Sequence, residues 1–459
     1  MNAHDYAQTH AARFYEQLLA LLRIPSISTL KQHAPDVRRA AEWLRADMQR
    51  IGLRAQIFQR GHYLPLLYGE WLGAPNAPTV LIYCHYDVQP AALEDGWTSD
   101  PFTPTERDGK LYARGALDSK MHVIAHLKAL EALLATGQPP VNVKLLFEGE
   151  EESGSEHIFQ FVAENHARLA CDVCVISDGS MYDPQQPLLV YGLRGVTTYE
   201  LRVFGPKADL HSGAYGGTVH NPIQALAEML AQLHDAQGRV NVPGFYDDVR
   251  PLSADERAAL AAVGAWVEKD WQHTAAAPQP WGEADYALQE RIGARPTLEI
   301  NGIAGGFAGE GFKTAIPSKA SAKISCRLVP DQDPQRIYQC VRDYLAAITP
   351  PTVRSELIEL EAGAPALLVE RANPAMQAVA AAYERAWGRA PLWMREGGSV
   401  PVASVLQQAL HKPLVMLPFG YKGGRAHGPD EYIFPEMFHK GIAAALYFYA
   451  ELAERLRHA

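Results

Sequence analysis

The chain has 459 residues, 47% of them hydrophobic, enough for two domains of ordinary size and at least one large buried core. Lys plus Arg number 42 against 52 Asp plus Glu, a formal net charge of −10, so overall charge gives no reason to expect nucleic acid or an anionic membrane surface as a partner. Five cysteines cannot build a disulfide framework, and their odd number suits a reducing compartment.

The N-terminal stretch Met1-Asn-Ala-His-Asp-Tyr6 has neither the basic nor the apolar region of a secretory leader. No run of about 18 apolar residues follows to span a membrane, and a cytoplasmic protein is expected. From about Ala12 to Ile51, Phe14, Leu18, Leu19 and Leu22, then Ala40, Leu44 and Met48, recur at helical spacing and predict two helices. Thr79-Val-Leu-Ile-Tyr-Cys-His85, Val141-Asn-Val-Lys-Leu-Leu-Phe147 and Asp172-Val-Cys-Val-Ile-Ser177 are short apolar runs, the pattern of strands buried on both faces. A helical stretch from Met121 to Ala135 separates the first two. Such alternation predicts an α/β domain with a mostly parallel sheet.

Near Gly192 the texture changes. Val196–Phe204, Ser321–Val329 and Val353–Leu360 alternate at period two, as strands of a sheet solvated on one face do. Helices around Ile223–Leu233 and Pro334–Ile348 sit between them, giving an α+β region. Beyond about Gly363 the style of the first domain returns in Met376–Trp387 and Leu414–Pro418. The simplest organisation is an insertion: residues 194–363 form a second domain interrupting one built from 1–193 and 364–459.

Three predicted strands run into residue types that ligate metals: His85-Tyr-Asp87, Glu148-Gly-Glu150-Glu151-Glu152 and Ser177-Asp178. Ligands of open α/β sheets bind outside the carboxyl ends of the strands, so these residues should converge. Asp118, in Gly115-Ala-Leu-Asp118-Ser-Lys120, lies in a loop before a helix. Taken singly, a His-x-Asp is an ordinary hydrogen-bonded loop pair, an acidic run a solvated helix start, and an Asp-Gly a turn. Their recurrence at strand ends points to a metal site, and imidazole with several carboxylates suits zinc or manganese. Of two adjacent glutamates, one can ligate while its neighbour takes a proton from water. Asp87 can accept the second N–H of His85. Cys171 and Cys174, in an apolar strand pattern, read as core packing. Trp266, Trp271 and Trp281 read as packing or subunit contact.

Several longer stretches carry a resemblance. They are Tyr83-Cys-His85-Tyr-Asp87-Val-Gln-Pro90, Trp97-Thr-Ser-Asp-Pro-Phe102, Arg107 through Lys120, Phe147 through Ser155, Ile176-Ser-Asp178, Asp209-Leu-His211-Ser-Gly-Ala-Tyr-Gly-Gly217, Ser325-Cys-Arg327-Leu-Val-Pro330, Arg395-Glu-Gly-Gly-Ser399-Val-Pro401 and His427-Gly-Pro-Asp-Glu431. In this order, and spanning nearly the whole chain, they resemble the carnosinase and cytosolic nonspecific dipeptidase branch of the dinuclear metallopeptidases. The wider clan includes glutamate carboxypeptidase, aminoacylase and succinyl-diaminopimelate desuccinylase.

The resemblance implies a zinc-peptidase-like catalytic domain, with a mostly parallel central sheet and helices on both faces, plus an inserted α+β lid and dimerisation domain. It implies two divalent ions, zinc or manganese, bridged by Asp118; His85 and Asp178 would complete one position, Glu152 and His427 the other. Glu151 would be general base and acid, deprotonating a water that bridges the metals, with Asp87 as partner of His85. His211 would stabilise the oxyanion in the partner subunit of a homodimer. Arg327 would pair with the substrate's terminal carboxylate, helped by Thr314 and Ser399. A cis peptide usually follows the bridging aspartate in the family, but Ser119, Lys120 and Met121 depart from its pattern and leave that point open. The expected activity is hydrolysis of dipeptides, or of short peptides with a free C-terminal carboxylate. The alternative is an N-acyl or carbamoyl amino acid amidohydrolase using the same site. A non-catalytic binding protein would have no need of Glu151 and all five ligands.

Overall fold

A computed structural model describes residues 1–457 and divides into two compact units. The first comprises Met1–Tyr191, Val369–Trp393 and Val405–Ala459; the second comprises Gly192–Leu368 and Met394–Ser404. The segment Met394–Ser404 thus belongs with the second unit, whereas the sequence boundaries leave it in the flanking domain. Polar contacts tie it there: Arg194 donates to the Gly397 carbonyl at 3.1 Å, Ser399 Oγ to the Arg194 carbonyl at 2.6 Å, and Arg395 pairs with Glu256.

The first unit carries a six-stranded sheet in the order Arg54–Phe58, Leu66–Trp71, Asn142–Glu148, Thr79–His85, Val173–Ile176, Leu414–Met416. The last four strands run parallel; the first two add an antiparallel edge. Thr79–His85 and Asn142–Glu148 are buried along almost their whole length, as apolar runs lacking alternation require. Their parallel pairing places His85 opposite Glu148, so both strands deliver their last residues to one edge. The Met121–Thr136 helix follows the Asp118 loop and is buried over most of its length, packing on the C-terminal helix Pro435–Arg457. One N-terminal helix beyond the two expected, Ala3–Thr9, starts at an Asn2–Asp5 capping box.

In the second unit four antiparallel strands stand in the order Thr297–Gly305, Lys319–Leu328, Gly195–Phe204, Arg354–Ala364. Gly195–Phe204 alternates strictly between buried and half-buried residues. Its inward Tyr199, Leu201 and Val203 pack with Leu226 and Met229 of the Pro222–Ala231 helix and Ile337, Val341 and Leu345 of the Pro334–Ile348 helix. Trp266 and Trp271 lie in the Gly264–Thr274 helix, while Trp281 lies beyond its end and is exposed. Cys171 and Cys174 are buried, and burial lifts both thiols above their usual range. Among the described residues no helix is long and apolar enough to cross a membrane.

Charge also enters the first unit's core. Lys128 is fully buried, with Nζ 2.6 Å from Asp47 and 3.1 Å from Glu131, and Arg50 donates to the same two carboxylates at 2.7 and 2.6 Å. The cluster ties the Ala34–Arg50 helix to the Met121–Thr136 helix. Burial opposes the Glu131 charge, but the Arg50 hydrogen bond and the Lys128 charge hold its carboxyl at about 2. A carboxyl depressed on folding stabilises above its unfolded pKa and loses that contribution as pH falls through the folded value. Glu131→Gln is therefore expected to cost about 1–3 kcal/mol at neutral pH. Urea unfolding of both proteins should show this gap shrinking from about pH 4.5 downward; a gap independent of pH would contradict the role given to the cluster.

Candidate metal centre

Each strand end contributes by a local rule. His85 is the last residue of Thr79–His85 and is fully buried. The chain after Asn142–Glu148 leaves the sheet into a short turn, Glu151–Ser153, which turns two adjacent glutamates away from strand alternation. Ser177 donates its N–H to the Tyr83 carbonyl at 3.0 Å, one residue beyond the last strand pair, and so brings Asp178 to the same edge. Asp118 comes from the irregular turn Ala116–Lys120, and its peptide bond to Ser119 is cis. Gly115 opens that turn at φ +83°, and a Cβ there would stand 2.6 Å from Val88, so only glycine fits.

The ligand-type atoms form two groups sharing Asp118. His85 Nε2 lies 3.0 Å from Asp118 Oδ1 and 3.8 Å from Asp178 Oδ2. His427 Nε2 lies 3.0 Å from Asp118 Oδ2 and 3.1 Å from Glu152 Oε1. Ligand atoms about 2.0–2.2 Å from a tetrahedral ion stand about 3.3–3.6 Å from one another, close to these spacings. The donor set therefore fits two divalent ions, and each oxygen of Asp118 stands beside a different histidine. Imidazole nitrogen and carboxylate oxygen do not discriminate zinc from manganese.

Asp87 does more than the sequence suggests. The Nδ1 of His85 lies 3.1 Å from the Asp87 carbonyl and 3.4 Å from its carboxylate. The two carboxylate oxygens accept the backbone N–H groups of Glu151 at 3.2 Å and Glu152 at 3.0 Å. One buried side chain thus touches His85 and fixes the turn carrying both glutamates. Gln89 was not singled out from the sequence; its Nε2 donates to Glu152 Oε2 at 2.7 Å, leaving Oε1 turned to His427. Its only signal is membership of the His85 stretch.

Crowded like charges set the proton affinities. Burial, opposed by His85 and reinforced by the carboxylates of Asp178, Glu152 and Asp87, lifts Glu151 to about 7. Burial likewise lifts Asp178 to about 6, with Asp118 adding repulsion. Asp118 is the exception: burial opposes its charge, but hydrogen bonds with His427 and His85 hold it far below the usual range. Hydrogen bonds with Asp118 and Glu152 raise His427 to about 10. Glu151 joins neither ligand group.

The other predicted residues lie in the second unit. His211 pairs with Ala315 in a short antiparallel ribbon, and the Thr314 carbonyl accepts the Ser212 N–H at 3.0 Å. Both His211 and Thr314 are exposed. His211 Nδ1 accepts the Gly213 N–H at 3.0 Å, so a neutral ring carries its proton on Nε2 and presents a donor there. Arg327 Nη1 donates to Ser399 Oγ at 2.8 Å. Arg327 and Ser399 are thus brought together, apart in chain position from the His211–Thr314 ribbon.

Residues 81–451 match the description of Peptidase family M20/M25/M40. The chain belongs to this family. It is 33% identical over 456 residues to the Cys-Gly metallodipeptidase dug1 of Schizosaccharomyces pombe, covering 96% of this chain and 95% of that one. It is 31% identical over 469 residues to the human Beta-Ala-His dipeptidase, covering 98% and 92%. Among solved structures, an M20 family metallo-carboxypeptidase from Sulfolobus solfataricus superimposes with a TM-score of 0.82 at 28% identity, covering 96% of this chain and 99% of that one. The M20 fold accounts for a catalytic α/β portion combined with a smaller α+β portion.

Proposed function

We propose that this M20 peptidase is a metal-dependent dipeptidase, hydrolysing dipeptides or short peptides with a free C-terminal carboxylate. The observation that carries the reading is Asp118, whose two oxygens are each 3.0 Å from a different histidine, beside a glutamate that belongs to neither ligand group. Similarity to proteins named as dipeptidases favours peptides over N-acyl or carbamoyl amino acids. His85, Asp118 and Asp178 would hold one divalent ion; Asp118, Glu152 and His427 would hold the other. Bound there, zinc or manganese ions supply Lewis acidity that acidifies water and polarises the scissile carbonyl. Glu151 takes the proton of the attacking water and delivers it to the leaving amine. Asp87 keeps His85 and the Glu151–Glu152 turn in place.

In the inserted domain, residues 194–363 with the Met394–Ser404 segment, Arg327 receives the substrate carboxylate with its planar fork. Ser399 and Thr314 add hydrogen bonds. The Nε2 proton of the partner's His211 stabilises the oxyanion, in a two-fold dimer joined through this domain. Tyr215, Ile303, Phe307 and Phe312 support such a surface, being exposed large hydrophobic residues of the second unit. A cytoplasmic location fits five free cysteines.

Glu151→Gln is expected to abolish turnover of a dipeptide panel while both metals stay bound, whereas Glu152→Gln should lower metal content as measured by elemental analysis. The opposite pattern would exchange the two roles, and turnover of acetyl-amino acids without dipeptides would select the amidohydrolase.

Arg327→Ala should weaken transition-state binding of free-acid dipeptides by about 2–5 kcal/mol, read as kcat/KM, and affect the already poor C-terminal amides far less. Equal losses on acids and amides would make Arg327 structural.

Co-expressed Glu151→Gln and His211→Ala chains, each nearly inactive alone, should regain activity at about a quarter of all sites in randomly mixed dimers. Verified mixed dimers without recovery would place His211 in its own subunit's site.

A further inference from the structure

A buried ion pair joins the loops that carry Asp118 and His427, and no role in the chemistry above falls to it. Glu431 is fully buried, and Arg114 is 2% exposed. Oε1 of Glu431 accepts the N–H groups of Leu117 at 2.7 Å and Asp118 at 3.1 Å. Oε2 accepts the Gly115 N–H at 3.0 Å and Arg114 Nη1 at 2.7 Å. The other arm of the same guanidinium, Nη2, donates to the carbonyls of His427 at 3.1 Å and Gly428 at 3.2 Å. One carboxylate therefore holds three backbone N–H groups of the turn that carries Asp118, and its partner cation grips the peptide that carries His427.

The His427 loop needs such a grip. His427 lies in neither a helix nor a strand, and Arg425, His427 and Asp430 all have positive φ, near 61°, 63° and 55°. L-residues disfavour that conformation, so surrounding contacts must impose it. Downstream, Asp430 is tied to the Thr98 N–H and hydroxyl at 2.9 and 2.6 Å and to Arg107 at 2.9 Å. His85 and Asp178, by contrast, leave the ends of strands registered in the parallel sheet.

We propose that Arg114 and Glu431 are positioning residues that set the Asp118 carboxylate against the His427 imidazole, so that the Asp118–Glu152–His427 position depends on the pair far more than the His85–Asp118–Asp178 position does. The inference rests on the metal reading of the site proposed above. Its chemistry makes specific demands. An amide at 431 would offer one oxygen where four donors need two, and would turn its own N–H₂ against N–H groups. A lysine at 114 keeps the charge but lacks the fork that reaches a carboxylate on one side and two carbonyls on the other.

The test uses the full-length protein stripped with chelator and titrated with Mn²⁺ alone. Electron paramagnetic resonance counts free and bound ions and reports the spin-coupled pair, and circular dichroism reports folding. Wild type should bind two ions per chain. Glu431→Gln and Arg114→Lys should keep one ion within about threefold of wild-type affinity, bind the second about 10–100-fold more weakly, and lose the coupled signal at limiting Mn²⁺. His427→Ala should reproduce that pattern. Two ions at wild-type affinity in both variants would overturn the proposal, as would equal weakening of both positions. Failure of both variants to fold at saturating Mn²⁺ would make the pair a determinant of the fold and overturn it too. A wild-type chain binding fewer than two ions would remove the metal reading beneath it.

Discussion

Like charge gathered in one place is the condition the first unit is built around. Asp87, Asp118, Glu151, Glu152 and Asp178 converge with two imidazoles at the carboxyl edge of a parallel sheet, where burial and mutual repulsion work against ionisation. Three of the carboxylates have compensating partners. Asp118 has two histidines, Asp87 has two backbone N–H groups, and Glu152 has Gln89 and His427. For Glu151 and Asp178, burial and neighbouring carboxylates outweigh the attraction of His85, and the proton affinity of both is raised.

The sheet supplies position, and the loops supply identity. Parallel pairing fixes where His85 and Glu148 end, but the residues that read as the second metal position come from turns with no regular register. Their placement is carried by side chains that hold backbone: Asp87 on the glutamate turn, Glu431 on the Asp118 turn, Arg114 on the His427 loop. Charged hydrogen bonds of this kind are strong and directional, so a catalytic edge assembled from loops can still be rigid.

The second unit follows a different economy of structure. Its four-stranded sheet buries one face under two helices and leaves the other available, which is the physical content of strict alternation. Arg327 and Ser399 meet there although 72 residues separate them in the chain. Met394–Ser404 is tied to this unit by polar contacts of Arg194, Glu256 and Arg327.

Much of this was legible in the amino-acid order. Continuous apolar runs marked the buried strands, period two marked the solvated sheet, and chain direction in a parallel sheet sent His85, the glutamate turn and Asp178 to one edge, because these properties depend on near neighbours along the backbone. The family resemblance then singled out His427, which no periodicity connects to the strand ends. Tertiary structure alone decided that the Asp87 carboxylate holds the Glu151–Glu152 turn, that Met394–Ser404 departs from its neighbours in sequence, and that Glu431 meets Arg114 across 317 residues. Hydrogen bonds of side chains to distant backbone leave no period and no composition in the sequence; they exist only once the chain has folded and a buried charge must find its partner.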